Sequence, residues 1–157
     1  MKSLEDKNKK IVCLNRKAKF NFFLLEFLEA GIVLKGTEVK SLRHSKASLD
    51  DSFAMLEKNE VYLYNCHISP YEYGNRYNED PKRVRKLLLH KSEIEWLRGK
   101  TEQRGLTLVS TSLYFKNGKA KVELALAKGK KHFDKRDDIK KREAGREMER
   151  AQRNRYK

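Results

Sequence analysis

Hydrophobic and polar residues along this chain alternate with a period that switches between that of a strand and that of a helix. Lys10-Ile11-Val12-Cys13-Leu14 predicts a short strand. Phe20 to Ala30 is dense in Phe, Leu and Glu without a breaker, which predicts a helix capped by Gly31. A strand around Ile32-Val33-Leu34 and a turn at Lys35-Gly36 are expected next. Thr37 to Arg43 fits either regular structure, with helix slightly preferred. Ser52–Leu56 and Val61–Cys66 flank the polar loop Glu57-Lys58-Asn59-Glu60 and predict a hairpin. Pro70 to Arg83 reads as a loop carrying Tyr71, Tyr73 and Tyr77. Leu87-Leu88-Leu89 leads into an expected helix from Lys91 to Gln103, with Ser92 and Glu95 at capping-box spacing and Gly105 past its end.

The strongest local signal comes last. Leu106–Phe115 and Lys119–Ala127 are joined through Asn117-Gly118, the pair that best tolerates a type I′ turn. In the second arm Val122, Leu124 and Leu126 share one face, and Lys121 and Glu123 share the other. One face is therefore expected in the core and the other in water. Together these elements predict a mainly β fold with two to three flanking helices. The leading architecture is a small antiparallel β-barrel of the oligonucleotide-binding type, although periodicity does not give the strand order.

Composition adds a division of the chain. Lysine and arginine number 37 against 22 acidic residues, a formal net charge of +15. A field of that sign attracts polyanions: RNA, DNA or an acidic membrane face. Residues 128–157 alone hold 13 basic and 6 acidic side chains and few large apolar ones. Burial there cannot offset the entropy of ordering the backbone, about 1–2 kcal/mol per residue. That stretch is expected to be unfolded in isolation yet ready to become helical. It is rich in good helix formers, and Asp138/Arg142 and Glu149/Arg153 stand acid-first at i,i+4. The expected organisation is a flexible arm over 1–9, a β-barrel domain over 10–130 and a basic tail over 131–157. No apolar run reaches the roughly 18 residues that span a bilayer, and no secretory signal is evident. Cys13 and Cys66 read as two reduced core thiols. A cytoplasmic location and no membrane partner are expected.

Seven blocks of residues carry a more specific signal. They are Leu14-Asn15-Arg16-Lys17-Ala18, Glu29-Ala30-Gly31-Ile32, Gly36-Thr37-Glu38-Val39-Lys40-Ser41-Leu42-Arg43 and His67-Ile68-Ser69-Pro70-Tyr71. Arg83-Val84-Arg85-Lys86-Leu87-Leu88-Leu89, Ser112-Leu113-Tyr114-Phe115-Lys116-Asn117 and Ala127-Lys128-Gly129-Lys130-Lys131 follow, the last leading to Asp134-Lys135-Arg136. In this order and with these gaps, the chain resembles the SsrA-binding protein (small protein B) family over nearly its whole length. The resemblance implies that the barrel over 10–130 is RNA-binding and grips the tRNA-like end of transfer-messenger RNA (tmRNA). It also implies a tail that becomes helical in the empty messenger channel of a stalled ribosome, near the decoding centre and small-subunit rRNA. A monomeric delivery factor with no cofactor, no metal and no catalytic role is implied, with elongation factor Tu as an associate of alanyl-tmRNA.

The resemblance places Asn15, Glu29 and Leu88 among the tmRNA-holding positions. Each has a plainer reading: Asn15 as a helix cap, Glu29 as a solvated helix-end residue, Leu88 as core. Arg16, Lys17, Lys40, Arg43, Arg83, Arg85 and Lys86 cluster around the matched blocks and suit phosphate contact, or else form an ordinary charged face. The loop tyrosines suit base stacking or packing onto the barrel. For the ribosome, the tail offers Lys128, Lys130, Lys131, Phe133, Asp134, Lys135, Arg136, Lys140, Lys141 and Arg142. Phe133 is a large aromatic in a segment without a core, which suits stacking on an exposed base. Other family members carry histidine or tyrosine near this place; phenylalanine neither titrates nor donates a hydrogen bond.

His44, His67, His90 and His132 form no H-x-x-x-H pair, and no phosphate-loop, nucleophile-elbow or zinc spacing is present. Asp50-Asp51 and Asp137-Asp138 read as surface charge rather than a nuclease pair. The alternatives left standing are a basic ribosomal or ribosome-assembly protein and, further off, a nuclease or RNA-modifying enzyme.

Overall fold

The computed structural model describes residues 8–102 and 105–155. Most of the expected flexible arm and the expected helix end at Gln103 lie outside the described residues. Strand β1 (Lys9–Leu14) is followed by helix α1 (Arg16–Asn21), and β2 (Phe22–Ile32) by α2 (Gly36–Arg43). Short β3 (Ala47–Ser48) pairs with β6 (His67–Ile68), while β4 (Phe53–Glu57) and β5 (Glu60–Tyr64) form a hairpin. Strand β7 (Arg85–Leu88), α3 (Lys91–Thr101), β8 (Leu106–Lys116), β9 (Lys119–Gly129) and α4 (His132–Arg155) complete the fold.

The strand order is β1-β8-β4-β5-β7-β2-β9, and β8 also pairs with β9. Six antiparallel strands therefore close into a ring, with β1 laid along β8 beside the stretch that pairs with β4. Closure leaves few free edges open to pairing with another chain. Leu63, Leu87, Leu113, Val122 and Leu124 belong to the main core, to which α2 adds Leu42 and α3 adds Leu97. A smaller cluster packs Ala18 of α1 against Val109, Ala125 and Ala127.

Three expectations are corrected here. Phe20 to Ala30 is not a helix: from Phe22 onward it is an eleven-residue strand paired along β9. A bulge between Leu24 and Glu26 switches the strand's buried side from the small cluster (Phe22, Leu24) to the main core (Leu28, Ala30, Ile32). Phe23, Leu25 and Phe27 stay exposed, so no clean alternation marks the strand, and pairing overrides the local propensity. The separate strand at Ile32–Leu34 is absent, since Ile32 merely ends β2. The far face of β9 is only partly wet: beyond Glu123, Ala125 and Ala127 are fully buried.

Elsewhere the local chemistry predicts the turns. Lys58 and Asn59 join β4 to β5 with φ of 44° and 67°, and Asn117-Gly118 joins β8 to β9 with φ of 51° and 75°. Gly105 takes φ 82° beyond α3. The cap of α3 lies two residues earlier than expected: Glu93, not Glu95, reaches back to accept from the His90 N–H at 2.8 Å. Gly118→Ala would force a Cβ into the left-handed region and should cost about 1–2 kcal/mol. Urea denaturation measures this loss, and an unchanged midpoint would contradict the turn assignment.

Candidate nucleic-acid interface

Glu29 and Leu88 line one recess from neighbouring strands, and Gly31, two residues along β2 from Glu29, is the register partner of Leu88 in β7. A Cβ at Gly31 would sit 3.1 Å from the Leu88 Cβ, so glycine allows this close approach. Leu88 is 53% exposed, which removes the core reading. Period-2 alternation in β7 explains it: Arg85 and Leu87 point inward while Lys86 and Leu88 face out. Glu29 stands on the exposed side of a strand, not at a helix end. Its carboxylate accepts from the Tyr114 hydroxyl at 2.5 Å and from Lys116 Nζ at 3.3 Å. The Tyr114 hydrogen bond chiefly holds Glu29 below the usual carboxylate range; burial opposes it, and Lys116 and Lys121 assist. An open recess of about 750 Å³ adjoins this pair, lined also by His90, Phe115, Lys119 and Lys121. It combines an ionised acceptor, an apolar wall and two cations, the groups that meet a base edge, a base face and phosphate.

The other expected tmRNA contacts do not all gather there. Asn15 is buried, and its side chain donates to the Leu49 and Ser110 carbonyls at 3.0 Å each while accepting from Ala18 N–H at 3.1 Å. It is the cap of α1, and its amide is spent inside the protein. Arg16 and Lys17 on α1 are exposed, Lys17 lying 3.5 Å from Asp50. A second recess of about 630 Å³ brings Asn15 and Lys17 together with Phe22, Phe53 and Lys135.

Arg85 is the clearest departure from expectation. It is fully buried, with hydrogen bonds to Glu38 at 2.9 Å, to the Cys66 carbonyl at 2.6 Å and to the Pro81 carbonyl at 3.1 Å. A guanidinium so committed cannot reach a phosphate without leaving Glu38 unpaired inside. Arg83 also grips Glu38, at 2.6 and 2.9 Å, but keeps an exposed edge. Burial alone would raise the Glu38 pKa; hydrogen bonds from Arg83, the Lys35 N–H and Arg85 outweigh it and lower the value. The inward register of Arg85 beside Leu87 was the available signal. Lys86 faces out and pairs with Glu60.

Lys40 and Arg43 stand exposed on α2. Lys40 Nζ lies 5.3 Å from the Tyr71 ring centre, and Tyr71 meets Tyr73 edge-on at 5.7 Å. Tyr71 is thus partly packed down, while Tyr73 and Tyr77, 78% and 68% exposed, keep open ring faces.

At the tail junction Lys128, Lys131, Arg136, Lys140, Lys141 and Arg142 are exposed. Phe133 is 59% exposed, and Asp134 accepts from the Lys131 N–H at 3.0 Å. Lys130 is different. Its ammonium donates to the Lys19 carbonyl at 2.9 Å and to Asp138 at 2.6 Å, and lies 5.1 Å from the Phe23 ring centre. Lys135 and Arg142 both approach the Phe20 ring, at 5.8 and 5.7 Å. The first turns of α4 are therefore seated on α1, and the rest of the helix is exposed. Sequence reasoning missed Phe20 and Tyr114. Phe20 opens the stretch expected to be a helix and carries no local mark of its cation contacts, and Tyr114 meets Glu29 from 85 positions away.

A strongly basic strand ring with acceptor, aromatic and cationic groups in open recesses defines a nucleic-acid-binding protein. Its sequence is more specific: residues 12–154 match the family model for the SmpB protein, and the chain belongs to that family. It is 65% identical over 144 residues to the SsrA-binding protein of Desulforudis audaxviator, covering 92% of this chain and 94% of that one. With the SsrA-binding protein of Geobacillus kaustophilus it shares 60% identity over 148 residues, covering 94% and 96%. Its fold is similar to a chain in a solved structure concerning tmRNA–SmpB at the centre of the bacterial ribosome. The TM-score is 0.65 with 55% identity, covering 76% of this chain and 85% of that one.

Proposed function

We propose that this protein binds tmRNA and delivers it to stalled ribosomes for trans-translation, so that the incomplete peptide is tagged for degradation. Its relatives' names and the tmRNA–SmpB structural neighbour support this reading. The observation that carries it in this chain is that Glu29 and the exposed Leu88 line one open recess together with Lys119 and Lys121. The ring acts as an oligonucleotide-binding-like barrel. Glu29 and Leu88 recognise the tRNA-like domain, and Arg16, Lys17, Lys40, Arg43, Arg83 and Lys86 steer and hold phosphates. Asn15 and Arg85 serve from inside, by capping α1 and by tying β7 to Glu38. The protein acts in the cytoplasm as a monomer, accompanies alanyl-tmRNA with elongation factor Tu, and carries out no chemistry of its own.

The tail takes the second task. Lys128, Lys131, Arg136, Lys140 and Lys141 meet ribosomal phosphates, and Phe133 stacks without any titrating step. Lys130, Asp134, Lys135 and Arg142 set the start and direction of α4. A gel shift at near-physiological salt, with tmRNA against a control RNA of equal length, tests the reading. Clear preference for tmRNA is expected, and equal affinity would overturn it. Glu29→Gln removes a charged acceptor worth about 1.5–3 kcal/mol, so tmRNA affinity should fall tenfold or more while control-RNA binding holds.

A further inference from the structure

Glu29 is not a free surface carboxylate. One of its oxygens, Oε2, accepts from the Tyr114 hydroxyl at 2.5 Å and from Lys116 at 3.3 Å, whereas Oε1 has only the long 3.5 Å approach of Lys116. Tyr114 itself is only 2% exposed, and Lys9 Nζ sits 3.9 Å from its ring centre. The ring is therefore anchored in the sheet, and its hydroxyl reaches outward to a group that solvent also reaches. A second feature makes the arrangement pointed. Glu29 and Glu123 are register partners on β2 and β9, two carboxylates directly across from one another on a common face. Like charges in that position repel. Each is held by a different donor from β8: Glu29 by Tyr114, and Glu123 by the Thr111 hydroxyl at 2.5 Å.

We propose that Tyr114 is a positioning residue for tmRNA recognition: its hydroxyl saturates one oxygen of Glu29 from inside and turns the other toward the RNA. The proposal rests on the tmRNA-binding reading and deepens it. An unrestrained glutamate on an exposed strand samples several rotamers, and RNA binding must then select one of them. With Oε2 engaged and Glu123 held aside, Oε1 is presented as a fixed acceptor. Groups that suit it are those RNA donates: a base N–H or amino group, or a ribose 2′-hydroxyl. Tyr114 acts from beneath and does not touch the RNA. The same hydrogen bond keeps Glu29 ionised, since an anion that accepts a hydrogen bond binds protons less readily.

Tyr114→Phe keeps the ring, its packing and the Lys9 contact and deletes only the donor. It should weaken tmRNA binding about tenfold, leave binding to an equal-length control RNA unchanged, and raise the pKa of Glu29 in a carboxylate NMR titration. Thermal unfolding by circular dichroism checks that the variant is folded. The decisive measurement is a double-mutant cycle with Glu29→Gln. If Tyr114 works through Glu29, removing its hydroxyl costs much less tmRNA affinity in the Glu29→Gln background than in the native one. Equal losses in both backgrounds, or an unchanged Glu29 titration, would leave Tyr114 as a packing residue and overturn the proposal. Native affinity in Tyr114→Phe alongside weak binding in Glu29→Gln would also overturn it and spare the tmRNA reading. Indifference of the native protein between tmRNA and control RNA is a different result, and it removes the reading beneath the proposal.

Discussion

A chain ending at Lys130 should bind tmRNA within a few-fold of the full chain and support no peptide tagging. The physical reason is the independence of the two parts. The main core is drawn from the strands, their loops, α2 and α3, and among the described residues none of it comes from α4. The helix touches the body through the Lys130–Asp138 ion pair and the two cations over Phe20. Partly exposed contacts of these kinds contribute about 1 kcal/mol or less each, so the ring should survive their loss. The recess beside Glu29 and Leu88 takes no lining residue from α4. What the truncation removes is cationic surface and Phe133, which the proposed function gives to the ribosome and not to tmRNA. Reconstituted translation of a message lacking a stop codon, with a gel shift in parallel, separates the two activities. Tagging by the shortened chain would refute the division of labour.

The second large effect lies in the interior. Glu38→Gln should lower the free energy of unfolding by about 3–5 kcal/mol, because it leaves the fully buried Arg85 without its counter-charge. In a domain of this size that is a fall in melting temperature on the order of 10 °C. Replacing both partners with apolar residues, Glu38→Leu with Arg85→Met, should cost less than the single change, since no orphan charge remains. The pH dependence follows from the direction of the shift. The folded Glu38 carboxyl lies below its ordinary value, so its stabilisation is present above the usual carboxylate range. It is lost as pH falls through the lowered value. Urea titrations at neutral and acidic pH should show the native protein losing its margin over Glu38→Gln in acid. A margin independent of pH would mean that Arg85 is held by its carbonyl partners alone.

Much of this molecule was legible locally. The β4–β5 and β8–β9 hairpins, the helices α2 and α3, and the left-handed residues Asn117, Gly118 and Gly105 follow from turn chemistry and short-range period. These are interactions between residues near in sequence, so the chain itself encodes them. The family was legible too, through blocks whose order and spacing the ring later explains. Strand β2 was not. Its bulge and its exposed Phe23, Leu25 and Phe27 erase the period-2 signal, and only pairing with β9 makes it a strand.

Charge and its division between body and tail were set by composition, as was attraction to a polyanion. Which charges are available to that polyanion was decided by tertiary structure. Arg85 and Lys86 are neighbours in sequence, yet β7 sends one into the core to meet Glu38 and the other into solvent. Leu88 reads as core by its type and stands exposed because its strand turns it outward. The reason is general: side-chain identity specifies what a group can bond to. Strand register and ring closure, formed by residues far apart in the chain, specify what it actually meets.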